Sequence, residues 1–119
     1  MIPERLGFTQ VSNRFYLAGG FQGKEYFNAV KCVNSVGEVV ELSPMASQKA
    51  YFPMILWHQK HSLITVGGYD GNYLKEVTQF SIDLNKWSAL PDLPNGLCTS
   101  TAVIMDNVHL YNFGGQKSK

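Results

Sequence analysis

The stretch from Leu63 to Trp87, LITVGGYDGNYLKEVTQFSIDLNKW, decides the fold. A short apolar run ends at Gly67-Gly68, a polar loop follows, and a second run alternates through Val77 and Phe80. Alternation with a period of two is typical of a half-buried β-strand, and the D-G-N triplet at 70–72 has the chemistry of a turn. The stretch therefore predicts a strand, a glycine doublet, a loop, a second strand and a tryptophan.

Glycine doublets recur along the chain at a nearly constant interval. They lie at Gly19-Gly20, Gly67-Gly68 and Gly114-Gly115, which are 48 and 47 residues apart. A shift of 48 residues also places Cys32 on Phe80 and Val39 on Trp87. A fixed period of this length indicates a repeat architecture. We divide the chain into repeats at 1–46 and 47–94, with an incomplete third repeat at 95–119.

Each repeat reads as short strands joined by turns, with no apolar stripe at the helical period, so the predicted fold class is all-β. The first repeat predicts strands at Gly7–Val11, Arg14–Ala18, Ala29–Val33 and Glu38–Leu42. The second predicts Tyr51–Trp57 (or a later start at Met54), Ser62–Gly68, Glu76–Ile82 and Trp87–Leu90. The third contains only Thr99–Met105 and Val108–Phe113, with a turn at 106–107 between them.

The composition excludes several classes of protein. A chain of 119 residues with 45% hydrophobic residues, 16% charged residues and a net charge of +1 is globular rather than disordered. Ten Lys and Arg are nearly balanced by nine Asp and Glu, so no nucleic-acid partner is expected. We recognise no targeting segment or membrane span, and we expect a soluble cytoplasmic protein without a membrane partner. Cys32 and Cys98 form no C-x-x-C pair, which favours buried free thiols.

The second repeat resembles the Kelch repeat, whose units are the blades of a β-propeller. The resemblance rests on the I-T-V-G-G run at 64–68, on Phe80, and on Trp87 followed by L-P-D-L-P at 90–94. It covers nearly the whole chain, although in the first repeat a cysteine and a valine replace the aromatic residue and the tryptophan. The resemblance implies a partial Kelch-type β-propeller of about two and a half four-stranded antiparallel blades.

The physical roles of the motif residues follow from their chemistry. Glycines at a strand end permit close backbone approaches that a Cβ would forbid. A tryptophan at a fixed distance can fill the wedge between neighbouring sheets while its indole N–H finds a carbonyl. The structural-motif residues are Gly19, Gly20, Gly67, Gly68, Phe80, Trp87, Gly114 and Gly115.

Propellers have about four to eight blades, so these repeats do not close a ring. A terminal sheet then exposes an apolar face and an unpaired edge, which predicts self-association. Three explanations stay open: a fragment of a longer Kelch protein, a subunit that completes its array with other chains, or a short gene product of marginal stability.

If the strands of each blade run a, b, c, d from the centre outward, the b–c loops and the d–a connectors share one face. In Kelch proteins this face commonly receives a peptide segment of a partner. The resemblance carries this role to the b–c loops at 21–26 and 69–75 and to the connectors at 47–51 and 95–98. The candidate partner-binding residues are Gln22, Lys24, Tyr26, Gln48, Lys49, Tyr69, Asn72, Tyr73 and Asn95.

Catalytic motifs are not recognisable in the sequence. We find no nucleophile with a base at a known spacing, no G-x-S-x-G and no close carboxylate pair. His58 and His61 lack a third metal ligand nearby in sequence, so neither a metal nor a cofactor is expected.

We therefore expect a non-enzymatic protein-protein interaction module. In the Kelch family such modules serve as substrate receptors of ubiquitin ligases or as actin-associated cytoskeletal adaptors, although no BTB-like region is recognisable here. The alternative is part of a composite propeller enzyme or assembly completed by other chains or missing blades, because Kelch-like enzymes draw their sites from several blades.

Overall fold

The computed structural model describes residues 5–98, 101–105, 109–113 and 116–117, with side chains described from 5 to 96. Strands account for most of the regular structure in these ranges. In chain order they are β1 (Gly7–Val11), β2 (Arg14–Ala18), β3 (Phe21–Gln22), β4 (Glu25–Tyr26), β5 (Val30–Val33), β6 (Val39–Leu42), β7 (Met54–Trp57), β8 (Ser62–Val66), β9 (Val77–Ser81), β10 (Lys86–Leu90), β11 (Leu97–Cys98), β12 (Thr101–Met105), β13 (His109–Phe113) and β14 (Gln116–Lys117).

Two four-stranded antiparallel sheets form the body of the fold. The first has the order β1-β2-β5-β6 and the second the order β7-β8-β9-β10, so each sheet is a simple meander. Strands β12 and β13 form a separate antiparallel hairpin. The predicted all-β architecture of partial Kelch-type blades is confirmed, whereas the repeat boundaries at 46 and 94 stay a prediction.

The first strands of the three units lie side by side. Strand β7 lies against β1 on one side and β12 on the other. The Thr9 hydroxyl of β1 donates a hydrogen bond to the Met54 carbonyl of β7. The units are therefore arranged radially, with β1, β7 and β12 innermost and β6 and β10 outermost.

The sequence missed the shortest strands. Strands β3 and β4 form a two-residue hairpin inside the first b–c loop, and β11 pairs with β14. Two residues are too few to show an alternating pattern, so periodicity cannot detect them. The residues from His58 to Lys60, between β7 and β8, form a one-turn 3₁₀ helix. The predicted turn at 106–107 and the third glycine doublet lie outside the described residues.

The main core lies between the two large sheets. Buried side chains from both sheets meet there, and the connector between the sheets adds two more. The buried residues of this core are Tyr16, Ala18, Val30, Met45, Phe52, Met54, Leu63 and Phe80. A second cluster of Ile64, Val66 and Val77 lies on the opposite face of the second sheet. The second sheet is thus buried on both faces, as a sheet inside an array must be.

Trp87 joins the two sheets at their outer edge. Its ring packs at a centroid distance of 5.0 Å from Phe80, and its Nε1–H donates a 2.8 Å hydrogen bond to the Ser43 carbonyl oxygen. Asn85 contributes on the same edge, because its Oδ1 accepts from the Ser43 N–H and its carbonyl accepts from the Ser43 hydroxyl. The predicted wedge position of Trp87 is therefore present.

The sheet register corrects one of the residue equivalences that the 48-residue shift gives between the first two repeats. The shift of 48 residues equates Cys32 with Phe80. In the second sheet Phe80 lies between its cross-strand partners Leu63 and Trp87 and points into the main core. In the first sheet Cys32 lies between Tyr16 and Val40, one residue away from the position that matches Phe80. The equivalence of Cys32 with Phe80 is therefore wrong.

The true equivalent of the phenylalanine is Val33, which lies between Phe15 and Val39. The first b–c loop, at 19–29, is one residue longer than the second, at 67–76. One extra residue moves a side chain to the opposite face of a strand. The side chain of the cysteine accordingly packs, partly buried, against the main core rather than on the outer face.

The first sheet leaves an apolar face uncovered. Phe8 is 51% exposed and stacks on Phe15 at 5.6 Å, and Val39 is 58% exposed. These residues lie on the side of the first sheet away from the second sheet, because Thr9 and Tyr16 point the other way. The predicted exposed apolar face is present, and association through it stays a prediction.

The glycine doublets allow the connector between the sheets to pass close to both of them. Gly20 N–H donates a 2.8 Å hydrogen bond to the Lys49 carbonyl, and a Cβ on Gly19 would lie 2.4 Å from that oxygen. On the second sheet a Cβ on Gly68 would lie 3.2 Å from the Ala50 carbonyl oxygen. Gly19 and Gly68 also have positive φ angles of 66° and 125°. Both space and conformation require glycine here.

Replacing Trp87 by alanine tests the wedge. We expect a loss of about 3 kcal/mol in the free energy of unfolding, the low end for a truncated aromatic because Trp87 is only partly buried. Trp87→Phe keeps the packing on Phe80 and should lose less, mainly the indole hydrogen bond. Urea unfolding followed by circular dichroism measures both, and a loss below about 1 kcal/mol for the alanine variant would show that Trp87 does not hold the sheets together.

Gly19→Ala and Gly23→Ala form a matched pair. Both glycines have nearly the same φ, 66° and 62°, but a Cβ on Gly23 meets nothing within 4 Å. Both variants carry the conformational cost of a left-handed alanine, about 1 kcal/mol. Gly19→Ala should lose about 1–3 kcal/mol more, because its methyl group overpacks against the connector. If urea unfolding shows equal losses in the free energy of unfolding for the two variants, the connector does not pack closely against Gly19.

Candidate functional site

The connector at 43–53 lies between the b–c loops of the two sheets. Lys49 N–H donates to the Phe27 carbonyl of the first loop at 3.1 Å. Ala50 and Tyr69 exchange both backbone hydrogen bonds, at 2.9 and 2.8 Å, which ties the connector to the second loop. Both loops and the connector therefore meet on one face of the molecule, which we call the loop face.

Five aromatic rings meet on the loop face. Phe21 stacks on Tyr51 at 5.5 Å, and Tyr51 contacts Tyr69 edge to face at 6.4 Å. Tyr69 in turn contacts Tyr73 at 5.2 Å and Tyr26 at 6.2 Å. We call this set the aromatic row. It draws rings from the first loop, the connector and the second loop, so it spans the junction of the two sheets.

Backbone geometry orients the ring in the middle of the row. Tyr51 has a φ of 58°, a left-handed conformation that is uncommon for an aromatic residue. Its N–H donates a 3.0 Å hydrogen bond to the Arg5 carbonyl, and the Arg5 guanidinium lies 5.6 Å from its ring centroid. The unusual conformation is thus held by contacts on both the backbone and the side chain.

The structure brings most of the predicted partner-binding residues together. Tyr26, Tyr69 and Tyr73 lie in the aromatic row. Lys24 and Gln48 line a groove beside it, together with Glu25, Tyr26, Ser47 and Asp70. Gln22, Asn72 and Asn95 are exposed, and the Asn72 N–H is held by the Asp70 carboxylate at 3.1 Å. Contact of these residues with a partner stays a prediction.

Lys49 departs from the expectation. Its side chain is only 1% exposed, so it is not available on the loop face in this structure. Its Nζ donates a 3.0 Å hydrogen bond to the Thr65 hydroxyl, lies 3.3 Å from Glu76 Oε1 and sits 4.9 Å from the Phe52 ring centroid. Lysine is rarely buried unless it is paired, and here the polar partners come from strand β8 (Thr65) and from the second b–c loop (Glu76).

The Lys49 ammonium anchors the connector to the second sheet. Ser47 donates a 3.0 Å hydrogen bond to Glu76 Oε2, so two residues of the connector hold the same carboxylate. Among the described residues Glu76 Oε1 has no hydrogen-bond partner of good geometry, and its attraction to Lys49 is therefore mainly Coulombic. Burial lowers the pKa of Lys49, and the nearby Glu76 carboxylate opposes this shift only in part.

The Tyr26 hydroxyl is neutral at physiological pH, as a tyrosine ordinarily is, and its surroundings extend the neutral form to higher pH. Its pKa is raised by partial desolvation first, and then by the neighbouring Tyr69, Tyr51 and Asp70. A neutral phenol both donates and accepts hydrogen bonds. The aromatic row therefore presents an uncharged hydrogen-bonding group beside its rings at physiological pH.

Two members of the row were not among the predicted site residues. Phe21 and Tyr51 fall inside the predicted loop ranges but were not singled out. A signal existed for Phe21, because the 48-residue shift places it on Tyr69. Tyr51 was placed at the start of a strand, and its positive φ removes it from that strand.

The histidines considered as metal ligands, His58 and His61, lie at the ends of the strands opposite the loop face. His61 Nδ1 lies 2.7 Å from the Asp83 carboxylate on the surface. Within the ranges that the structure describes, no group of three or more His, Cys, Asp or Glu side chains is placed to hold a metal ion. The described residues also contain no helix long and apolar enough to cross a bilayer.

Comparison with known proteins supports the Kelch resemblance. The chain is 27% identical over 109 residues to Kelch repeat and BTB domain-containing protein 2 of cowpox virus strain GRI-90 / Grishak, covering 89% of this chain. It is also 27% identical over 108 residues to the protein of the same name in strain Brighton Red, covering 88%. The chain spans 19% of the length of each relative. No family model matches the chain. Together with the sheet order, this distant similarity confirms the predicted resemblance to Kelch repeats.

The buried lysine makes the stability depend on pH in a defined direction. Since folding lowers the pKa of Lys49, the unfolded chain binds more protons between the lowered value and the ordinary lysine value of 10.5. The free energy of unfolding contributed by this group therefore rises with pH across that window. The free energy of unfolding of the native chain and of Lys49→Met is measured with urea at pH 7 and near pH 10. Between these two pH values it should increase more for the native chain than for the variant.

Lys86→Met is the matched control for this experiment, because Lys86 is exposed on the outermost strand of the second sheet. Its substitution removes one positive charge without emptying a buried site. An equal pH response of the native chain and Lys49→Met would contradict the burial of the ammonium.

Proposed function

We propose that this chain is a non-enzymatic binding module, part of a Kelch-repeat array, which presents its loop face to a segment of a protein partner. The observation that carries the proposal is the aromatic row, because rings from both loops and from the connector meet on one face. Tyrosine and other aromatic residues are enriched in protein interfaces and supply much of their binding energy.

The groove beside the row adds hydrogen-bonding groups. Lys24, Gln48 and Asp70 line it around the edge of Tyr26. An extended peptide carries one donor and one acceptor at each residue other than proline, and such a mixture of side chains can satisfy both. The combination of an aromatic surface and a polar rim is the usual anatomy of a protein-binding site.

The name of the cowpox virus relatives links Kelch repeats with a BTB domain in those proteins. By this analogy, the present chain would recruit its partner protein to a larger assembly. It would act as part of a substrate receptor of a ubiquitin ligase or of a cytoskeletal adaptor. We further propose that the protein acts in the cytoplasm, where substrate receptors and cytoskeletal adaptors of this kind work.

The exposed face of the first sheet favours a second candidate. Phe8 and Phe15 form an apolar surface that a further sheet would cover. In that case the chain would be one part of an assembly, or of a composite propeller enzyme, whose working surface is completed by other chains or further blades.

The binding proposal is tested with peptides selected from a random phage-displayed library on the purified chain. Selected peptides should bind the double variant Asn72→Ala, Tyr73→Ala at least about tenfold more weakly, a loss of about 1.4 kcal/mol. Leu84→Ala is the matched control, because Leu84 is 73% exposed in a turn at the opposite end of the second sheet. Peptides that bind the double variant as well as the native chain would place the binding surface elsewhere.

A further inference from the structure

The groove beside the aromatic row is built by three segments that meet where the two sheets adjoin. Its lining residues are Lys24, Glu25 and Tyr26 of the first loop, Ser47 and Gln48 of the connector, and Asp70 of the second loop. The groove has a volume of about 480 Å³, which is within the size range of sites that bind small ligands. It is therefore large enough to take a side chain of a partner segment.

Hydrogen-bond acceptors dominate the lining of the groove. The Ser47 hydroxyl donates its proton to Glu76 Oε2, so toward the groove its oxygen is left only as an acceptor. The Asp70 Oδ1 atom accepts from the Asn72 N–H, which leaves the second carboxylate oxygen to other donors. Among the described side chains, neither Glu25 nor Asp70 has an ion-pair partner. The groove therefore suits a ligand group that carries hydrogen-bond donors.

The aromatic row already holds a cation of the chain itself. The Arg5 guanidinium lies 5.6 Å from the centroid of the Tyr51 ring. A cation at about this distance is attracted by the negatively polarised face of an aromatic ring. Tyr26 belongs to the same row and borders the groove, and among the described residues no cation lies over its ring. The row therefore offers the groove a second ring of the kind that Arg5 uses.

The charges of the loop face outside the groove do not attract a cation from a distance. Arg5 and Lys75 are positive and exposed, and they line no part of the groove. The Lys49 ammonium is buried beside the Glu76 carboxylate, so this pair is close to neutral. A preference for a cationic ligand therefore depends on contacts inside the groove, where opposite charges act at short range.

The groove itself contains two carboxylates and one ammonium group. Glu25 and Asp70 come from different loops, and Lys24 lies in the turn of the short hairpin that carries Glu25. Lys24 is exposed, and its long flexible side chain can turn into the solvent. Burial and two neighbouring tyrosines raise the pKa of Tyr26 first, and the Asp70 carboxylate adds to the rise. A ligand cation beside the Tyr26 ring would thus also be close to a carboxylate.

From the acceptor-rich lining, the two carboxylates without ion-pair partners and the ring beside them, we propose that the groove binds an arginine side chain of the partner segment. This inference rests on the proposed function and names the chemistry of its ligand. The guanidinium packs against the Tyr26 ring and donates hydrogen bonds to the Glu25 and Asp70 carboxylates. Arginine fits better than lysine, because its planar guanidinium stacks on aromatic rings and carries several N–H donors in a fixed fork but no acceptor.

The ligand is tested with peptides selected from a random phage-displayed library on the native chain. Selected sequences should be enriched in arginine. A selected peptide made synthetically should lose at least about tenfold in affinity when this arginine becomes glutamine. It should lose about threefold when the arginine becomes lysine, which keeps the charge but not the planar fork.

Matched variants of the chain test the groove. Asp70→Asn keeps an Oδ1 atom for the Asn72 N–H and should weaken binding of the selected peptide about three- to tenfold, as should Glu25→Gln. Glu41→Gln is the control, because Glu41 is exposed on β6 and lies outside the groove. Its affinity for the peptide should stay within about twofold of the native value. Lys24→Met should strengthen binding about twofold or more, because it removes the competing ammonium.

The outcomes separate the ligand chemistry from the binding surface. Selected peptides that are weakened by the Asn72→Ala, Tyr73→Ala double variant but contain no excess of arginine would overturn the arginine inference and leave the proposed face intact. Arginine-rich peptides that bind Asp70→Asn and Glu25→Gln as well as the native chain would also overturn it. Peptides unaffected by all of these variants, or failure to select any peptide on a natively folded chain, would count against both proposals. Circular dichroism of each variant shows that a lost affinity is not a lost fold.

Discussion

The close approach of the Lys49 carbonyl to Gly19 and Gly20 is the constraint on which the rest of the structure depends. A side chain at Gly19 would lie within 2.4 Å of this oxygen, and Gly20 N–H satisfies it with a hydrogen bond. Because the connector passes through this gap, the next residue, Ala50, can pair with Tyr69 of the second sheet. The spacing between the two sheets and the meeting of their loops follow from one backbone contact.

Most of the strand framework could be predicted from the sequence. Gly7–Val11 and Arg14–Ala18 were predicted with the bounds that the structure has, because tight turns and alternation define both ends. The second repeat was predicted to within a few residues for the same reason. Trp87 was placed between the sheets because a large ring at a fixed distance from a glycine doublet can fill the wedge between them, and its indole hydrogen bond to the Ser43 carbonyl lies there.

The features that the sequence did not show depend on contacts between distant segments. Lys49 lies in a polar connector, where a lysine is usually solvated, and its burial depends on Thr65 and Glu76 in strands and loops that follow later. Cys32 was matched with Phe80 in error because the first b–c loop has one residue more than the second. A uniform shift of 48 residues cannot detect such an insertion. The aromatic row was recognised only in part, because the positive φ of Tyr51 is a tertiary effect.

The buried ammonium also makes the neighbouring repeats unequal. In the second sheet Lys49 meets the paired threonines Thr65 and Thr78, whereas the matching cross-strand pair of the first sheet is Leu17 and Lys31. A connector lysine delivered to the first sheet would face an aliphatic side chain and a second positive charge, at the cost of an unpaired buried cation. The lysine site is therefore specific to the face that the second sheet turns toward the first, and an exchange of the two repeats would leave the Lys49 ammonium without its hydroxyl and carboxylate partners.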